Sequence, residues 1–418
     1  MNSLADVKIH IVGAGISGLI AAIQLEEEGF SPIIWEQNQE VGGRLQTELI
    51  DGYQLDRGFQ VLLDEYPMAQ KYLDLEALQL QKFLPGAYIH HEQDRSKWGD
   101  LSRDLQFWST PFLLSIAKPK DFLLLNRLRS ALKKKDLQSI FEHKPQTTLD
   151  YLVEYGFSDS LIKYFLAPFY RGIFLENELE TSSRMFEFVF KMFAKGNACI
   201  PREGIQAIAL QLKERLKKTT IHTGVRIDQI QNQKIIIEGV EEIVAEYVIV
   251  ATEATKLIAN LSGEEQAWRS CDNLYFEVEK RGFQEPLIGL VGDRDKLVNN
   301  YHFPQSLKPA SKGSKELLSV TVVDRKGLSD DALYEQVERE VKQVLGLRPL
   351  RLLKHYRIPK ALPDVSNMQY DYSYTTAQLT PSIYLAGDQQ LNASLNAAMI
   401  SGERVAEAVS NRIKGIST

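Results

Sequence analysis

The chain has 418 residues, 44% of them hydrophobic and 25% charged, which at roughly 150 residues per domain means two to three domains with a large buried core. Lysine and arginine number 49 against 55 acidic residues, and the net charge of −6 excludes the basic face that a duplex nucleic-acid binder needs. Two distant cysteines, Cys199 and Cys271, exclude a disulfide framework and a cysteine-rich metal site, and suit a reducing compartment.

Taken in chain order, Val7 to Val12 is a short β-rich run that breaks at Gly13-Ala14-Gly15-Ile16-Ser17-Gly18. The apolar stretch from Ile9 to Leu25 holds three glycines and lacks a basic leader, so it does not read as a secretory signal. A helix is expected from Leu19 to Glu28, ended by Gly29, and then a strand from Ser31 that closes at Glu36. From about Met68 to Phe193 the pattern is helical and rich in Leu, Phe and Lys. His90 and His91 are adjacent and would face opposite ways on a strand, and the seven histidines show no ligand spacing. Strand character returns at Ile221 to Ile227, Lys234 to Glu238 and Ile243 to Thr252, then near Pro286 to Val291 and Leu317 to Val323. Between Asp330 and Leu345 a helix is expected, with Ser329 as its N-cap and Gly346 at its end. The tail repeats the opening logic: strand Ser382 to Ala386, a turn at Gly387-Asp388, then a helix to about Val409. No apolar run reaches the ~18 residues of a membrane span, and the expected location is cytoplasmic.

The opening β-turn-α-β unit has the form of a dinucleotide site. Gly13 permits the tight turn, Gly15 lets a pyrophosphate approach the backbone, and Gly18 lets the helix pack closely on the strand. The amides of Ile16 and Ser17 then face the negative charge at the helix N-terminus. Glu36, at the end of the second strand, is placed to accept hydrogen bonds from ribose hydroxyls, and its charge argues against a 2′-phosphate. Beyond it, Gly42 and Gly43 bring the backbone close to a ligand, and Arg44 offers a cationic fork to phosphate.

At Val41-Gly42-Gly43-Arg44 the sequence resembles the flavin amine oxidase superfamily, which includes monoamine oxidases, phytoene desaturases and protoporphyrinogen oxidases. The resemblance continues at Leu55-Asp56-Arg57-Gly58-Phe59-Gln60, Pro201-Arg202-Glu203-Gly204-Ile205, Gly224-Val225-Arg226 and Val248 to Thr252. It ends at Ala386-Gly387-Asp388 and Leu395 to Gly402. It implies non-covalent FAD, with Gly58, Phe59 and Gln60 beneath the isoalloxazine and the Val225 backbone at adenine. Asp388 would meet the ribityl or phosphate region, and the amides near Leu395 the flavin pyrimidine. A positive helix end there would stabilise the charge that builds on reduction.

The substrate half is less legible. Leu161 to Phe174 and Met185 to Phe193 carry aromatic stripes that line either an apolar tunnel or an ordinary helix core. Phe107, Trp108 and Pro111 to Leu114, followed by Arg127, Arg129 and Lys133 to Lys135, could dock on an anionic membrane; a solvated basic helix face is the other reading. Amine oxidases of the superfamily hold a lysine near the flavin, and the comparable strand, Asn273 to Val278, has none; Ser394 stands where they place an aromatic. Tyr356, in Tyr356 to Pro363, resembles a desaturase-like position that contacts substrate. Arg57 would polarise the ring or bind a substrate anion, or form an ion pair with Asp56.

The fold expected is α/β: a doubly wound, Rossmann-like FAD domain (1–67, 200–265 and 380–418) interrupted by an α+β substrate domain (68–199 and 266–379). The activity expected is hydride transfer from a C–H bond of a bulky, lipophilic isoprenoid or tetrapyrrole to flavin N5, with no metal or nucleic acid. Its rivals are amine oxidation, a non-redox flavin isomerase, and a binding module for prenylated proteins on the same fold.

Overall fold

The computed structural model describes residues 4–91, 94–99, 116–237, 241–261 and 265–416. The segment Phe107 to Leu114, the apolar part of the stretch that either docks on a membrane or precedes a solvated basic helix face, lies outside them. Five short strands form a parallel sheet in the order Thr220–Thr223, Ile33–Glu36, Ile9–Val12, Tyr247–Val250, Ile383–Leu385. Ile9, Ile11, Ile34, Val248 and Ile249 are all buried on it, as expected where both faces of a parallel sheet are covered. Helices Ile16–Glu27 and Leu395–Lys414 lie against each other beside the sheet. A Cβ on Gly402 would come within 2.4 Å of the Ser17 carbonyl, so only glycine permits this approach. The chain leaves Ile9–Val12 to one side for Ile33–Glu36 and later returns to its other side. That reversal opens a crevice beyond the strands' carboxyl ends.

Two expected strands divide. Ile221 to Ile227 is not continuous, because Gly224, at φ +72°, turns the chain out of the parallel sheet after Thr223. Ile227–Gln231 then begins a separate antiparallel meander with Lys234–Ile237 and Glu241–Val244. Likewise Ile243 to Thr252 splits around Ala245, whose N–H is taken by Gln233 O, and Tyr247–Val250 alone enters the parallel sheet.

A larger sheet has the order Pro349–Pro363, Trp268–Val278, Glu316–Val322, Val298–His302, Ile288–Val291, Gly86–His91, Asp94–Gly99. The last two strands fall in the stretch read as helical, and His90 and His91 do diverge: one bonds Tyr301, the other Ser96. Leu274, Phe276, Leu318, Val320 and Val322 face helix Asp330–Gln343, meeting Leu333, Val337 and Val341. Ser329 caps that helix by accepting from Ala332 N.

The other face of this sheet looks toward helices Pro119–Lys134, Ala167–Phe174 and Ser183–Lys195, which join the first sheet in one hydrophobic cluster. Pro168 has no N–H to return to the preceding turn, and the backbone widens there: Ala167 N reaches back five residues to Ile162 O. Among the described residues no helix is long and apolar enough to cross a membrane.

Candidate functional site

The crevice opens into a single cavity of about 1470 Å³ that runs from the glycine turn to the aromatic helices. At its nucleotide end Gly13 adopts φ +106°, and a Cβ there would sit 2.8 Å from Ala251 O. Gly18 does not line the cavity; a Cβ on it would strike Gly13 O at 2.1 Å, so it holds helix to turn. Gly15 differs: an added Cβ meets nothing closer than Gly43 Cα, at 4.0 Å, and would project into the crevice. The first-turn amides of Ile16 and Ser17 have no intrahelical acceptor, and both residues line the cavity.

Glu36 is buried at the cavity wall, accepting from Ala14 N at 2.8 Å and from the Asn38 backbone and side chain at 2.9 and 2.7 Å. These bonds fix its carboxylate while leaving further lone pairs for hydroxyl donors. Val225 is not a lining residue; its N–H donates to Glu36 O, so it supports the acid from behind. Gly42 and Gly43 both have positive φ, and Arg44 bonds Asp388 and Ala361 O and lies 5.5 Å from the Trp268 ring centre. The two groups expected to meet the cofactor's phosphate region therefore meet each other across the crevice. A glycine gap, a helix N-terminus, a fixed carboxylate and an arginine together suit a dinucleotide with an unmodified ribose.

Gly58, Phe59 and Gln60 line the middle of the cavity, with Ile358 packed over Gly58 so closely that a Cβ there would lie 2.7 Å from it. Arg57 is an exposed lining residue and makes no ion pair with Asp56. The Asp56 carboxylate instead accepts from Thr47 Oγ1 at 2.7 Å and Ile205 N at 3.0 Å, and burial pushes it up to about 6. Leu395 opens the last helix at the cavity, where Ser394 is the N-cap, accepting from Ala397 N. Tyr356 is misplaced by the sequence reading. Its ring is buried with Tyr53, Leu55 and Tyr275 and does not line the cavity; Ile358, two residues on, does.

The far arm is walled by Phe165, Phe169, Tyr170 and Phe174 from one helical segment and Met185, Val189, Phe190 and Phe193 from one face of another. Both aromatic stripes thus front the cavity as well as the core. Lining carboxylates are Glu36, Glu253 and Asp388, and each already has partners: amides, Lys360 and Arg44 respectively. Sequence reasoning missed Trp268, Arg269, Asn300 and Thr321, all lining residues. Arg269 bonds Phe174 O, Thr181 and Asp364, which ties the strand to the aromatic helices. The strand that carries it begins at Trp268, five residues before the stretch searched for a lysine. The one lysine lining the cavity among the described residues is Lys360, and it is bound to Glu253.

A parallel sheet that cradles a nucleotide, with a second sheet and helices enclosing an apolar chamber beside it, is the architecture of a dinucleotide-dependent oxidoreductase. The family model for flavin containing amine oxidoreductases matches residues 16–410, and the chain belongs to that family of flavin-dependent oxidoreductases. Among curated relatives, 4,4'-diaponeurosporene oxygenase of Staphylococcus aureus is 24% identical over 280 residues, 60% of this chain and 55% of that protein. A 4,4'-diapolycopene oxygenase of a Methylomonas species is 42% identical over 62 residues, 15% of this chain and 12% of the relative. The chain thus spans about half the length, or less, of these relatives. Among solved structures, a candidate protoporphyrinogen oxidase from Exiguobacterium superposes with TM-score 0.69 at 18% identity, covering 97% of this chain and 99% of that one. Cyclohexylamine oxidase from Brevibacterium oxydans gives 0.68 at 14% identity, covering 98% and 100%. At such identities the likeness is one of fold.

Proposed function

We propose that the chain binds FAD non-covalently and removes a hydride from a C–H bond of a bulky apolar substrate, of the isoprenoid or tetrapyrrole class, while the neighbouring atom gives up a proton to solvent, so that a double bond is left. The observation that carries this reading is the chemistry of the aromatic arm: it continues directly from the cofactor end and has no carboxylate among its described lining residues. An ammonium substrate would find cations there, Arg129 and Arg269, and no carboxylate among the described lining residues; burying it unpaired is costly. The cavity also exceeds the about 300–1,000 Å³ of an ordinary ligand site, which leaves room for a large substrate beside a dinucleotide. The names of the carotenoid-oxygenase relatives favour the isoprenoid class.

Bound FAD would supply the hydride acceptor. The chain's own part would be to seat the phosphates at Gly15 and Arg44 and the ribose at Glu36. Its aromatic walls would exclude water and hold the substrate carbon beside the Gly58–Gln60 segment. The test is a visible spectrum of the purified protein before and after denaturation. A flavin released intact as FAD is expected; a protein that stays colourless after incubation with FAD would overturn the reading and favour a binding module.

A further inference from the structure

The face of the large sheet turned to the aromatic helices has a polar row where an apolar one would be expected. Asn273, Thr321 and Asn300 lie side by side in register, Ser319 follows two residues along on the same face, and all four are buried, whereas the opposite face of the same strands carries Leu274, Phe276, Leu318, Val320 and Val322. Such groups are costly to bury unless bonded, and apolar residues of similar shape would cost no stability.

The row is a hydrogen-bond chain with a fixed direction. It starts at Pro168 O, which can only accept, so Asn299 must present its Nδ2 there, at 3.0 Å. The same Nδ2 donates to Asn300 Oδ1 at 2.9 Å, which turns the Asn300 amide nitrogen the other way, onto Thr321 Oγ1 at 3.3 Å. Thr321 passes its proton to Asn273 Oδ1, and Asn273 Nδ2 closes the chain on Ser319 Oγ. Asn299 has both N–H groups engaged; Asn300 has one engaged and one left over, and Asn300 and Thr321 line the substrate arm. Gly172 lets the aromatic helix approach the row closely, since a Cβ there would lie 2.9 Å from Asn300 Oδ1 and 3.1 Å from Asn299 Nδ2.

We infer that the remaining Asn300 Nδ2–H is the polar recognition point of the arm, and that the substrate carries an oxygen acceptor, a carbonyl or ether-like oxygen, on an otherwise apolar skeleton. One donor held rigidly in an apolar wall selects the ligand that can accept from it. The inference rests on the apolar-substrate reading and narrows it.

The test titrates the FAD-loaded protein with geranylgeranial, an isoprenoid aldehyde, and with the hydrocarbon in which a methyl group replaces the aldehyde, following the perturbation of the flavin spectrum. The aldehyde is expected to bind at least about tenfold more tightly. Asn300→Leu should erase that preference by weakening the aldehyde alone. Asn300→Asp keeps the shape and the acceptor for Asn299 but has no amide N–H when ionised, so it should erase the preference too. Equal binding of both probes by the natural protein, or a preference that survives in both variants, would overturn the assignment of Asn300 while leaving the apolar-substrate reading standing. If neither probe perturbs the flavin and an alkylamine does, that wider reading fails and this inference with it.

Discussion

Gly15 and Gly18 stand three residues apart in one turn, yet the same substitution should damage them differently. Gly15 has an ordinary φ of −73° and open space where its Cβ would go, so Gly15→Ala should unfold at the natural temperature and bind FAD at least about tenfold more weakly. Gly18→Ala would drive a methyl into Gly13 O and should lower stability itself by about 1–3 kcal/mol, with or without cofactor. Paired thermal melts and flavin-binding titrations separate the two; similar losses in both variants would mean that Gly15 does not face the ligand. Asp56 gives a pH signature at the same scale. Burial raises its carboxyl from 3.8 to about 6, so between those values the native state holds a proton that the unfolded chain has lost. Its contribution is most favourable below 3.8 and is lost as the pH rises through about 6, a difference on the order of 2–3 kcal/mol. Asp56→Asn should therefore gain stability relative to the natural protein as the pH goes from 4 to 7. A constant difference across that range in urea unfolding would refute the assignment.

At the scale of elements, the two aromatic helices serve as core and as cavity wall at once. Phe169 packs against Phe165 and Phe193, at ring distances of 5.7 and 5.3 Å, and is only half-buried because one side faces the cavity. Phe169→Ala should cost about 1–2 kcal/mol of stability, less than a fully buried phenylalanine, and should weaken binding of a long isoprenoid while leaving the flavin spectrum of the substrate-free protein unchanged. A shifted spectrum would place Phe169 at the cofactor instead. What the sequence discloses about such elements depends on how local the cause is. The glycine turn, Glu36, Gly42-Gly43-Arg44 and Gly387-Asp388 were legible because backbone conformation and neighbouring residues define each of them. The division of Ile221 to Ile227 at Gly224 was readable in principle, since glycine is the residue that takes φ +72° without strain. The Asn299–Asn300–Thr321 row was not: register alone brings strands 298–302 and 316–322 together, and nothing in either stretch names its neighbour. Tyr356 failed for a related reason, since its strand's course decides whether Tyr356 or Ile358 reaches the cavity.

Across the whole molecule, one cavity joins two sheets that chain order keeps apart. Trp268, Lys360 and Glu253 form the seam beside Arg44 and Asp388, so nucleotide end and substrate sheet are braced by the same ion pairs. Gain or loss of cofactor should therefore register in both halves, and FAD binding should raise the unfolding temperature as one transition. We propose that this joined cavity takes hydride from an apolar carbon skeleton and not from an amine. The direct measurement is to mix the FAD-loaded protein anaerobically with a long-chain isoprenoid and, separately, with an alkylamine, and to follow the oxidised flavin's visible band. Bleaching with the isoprenoid alone, matched by a product with one more double bond, is the predicted result. Bleaching with the amine alone, with formation of an imine, would contradict the account.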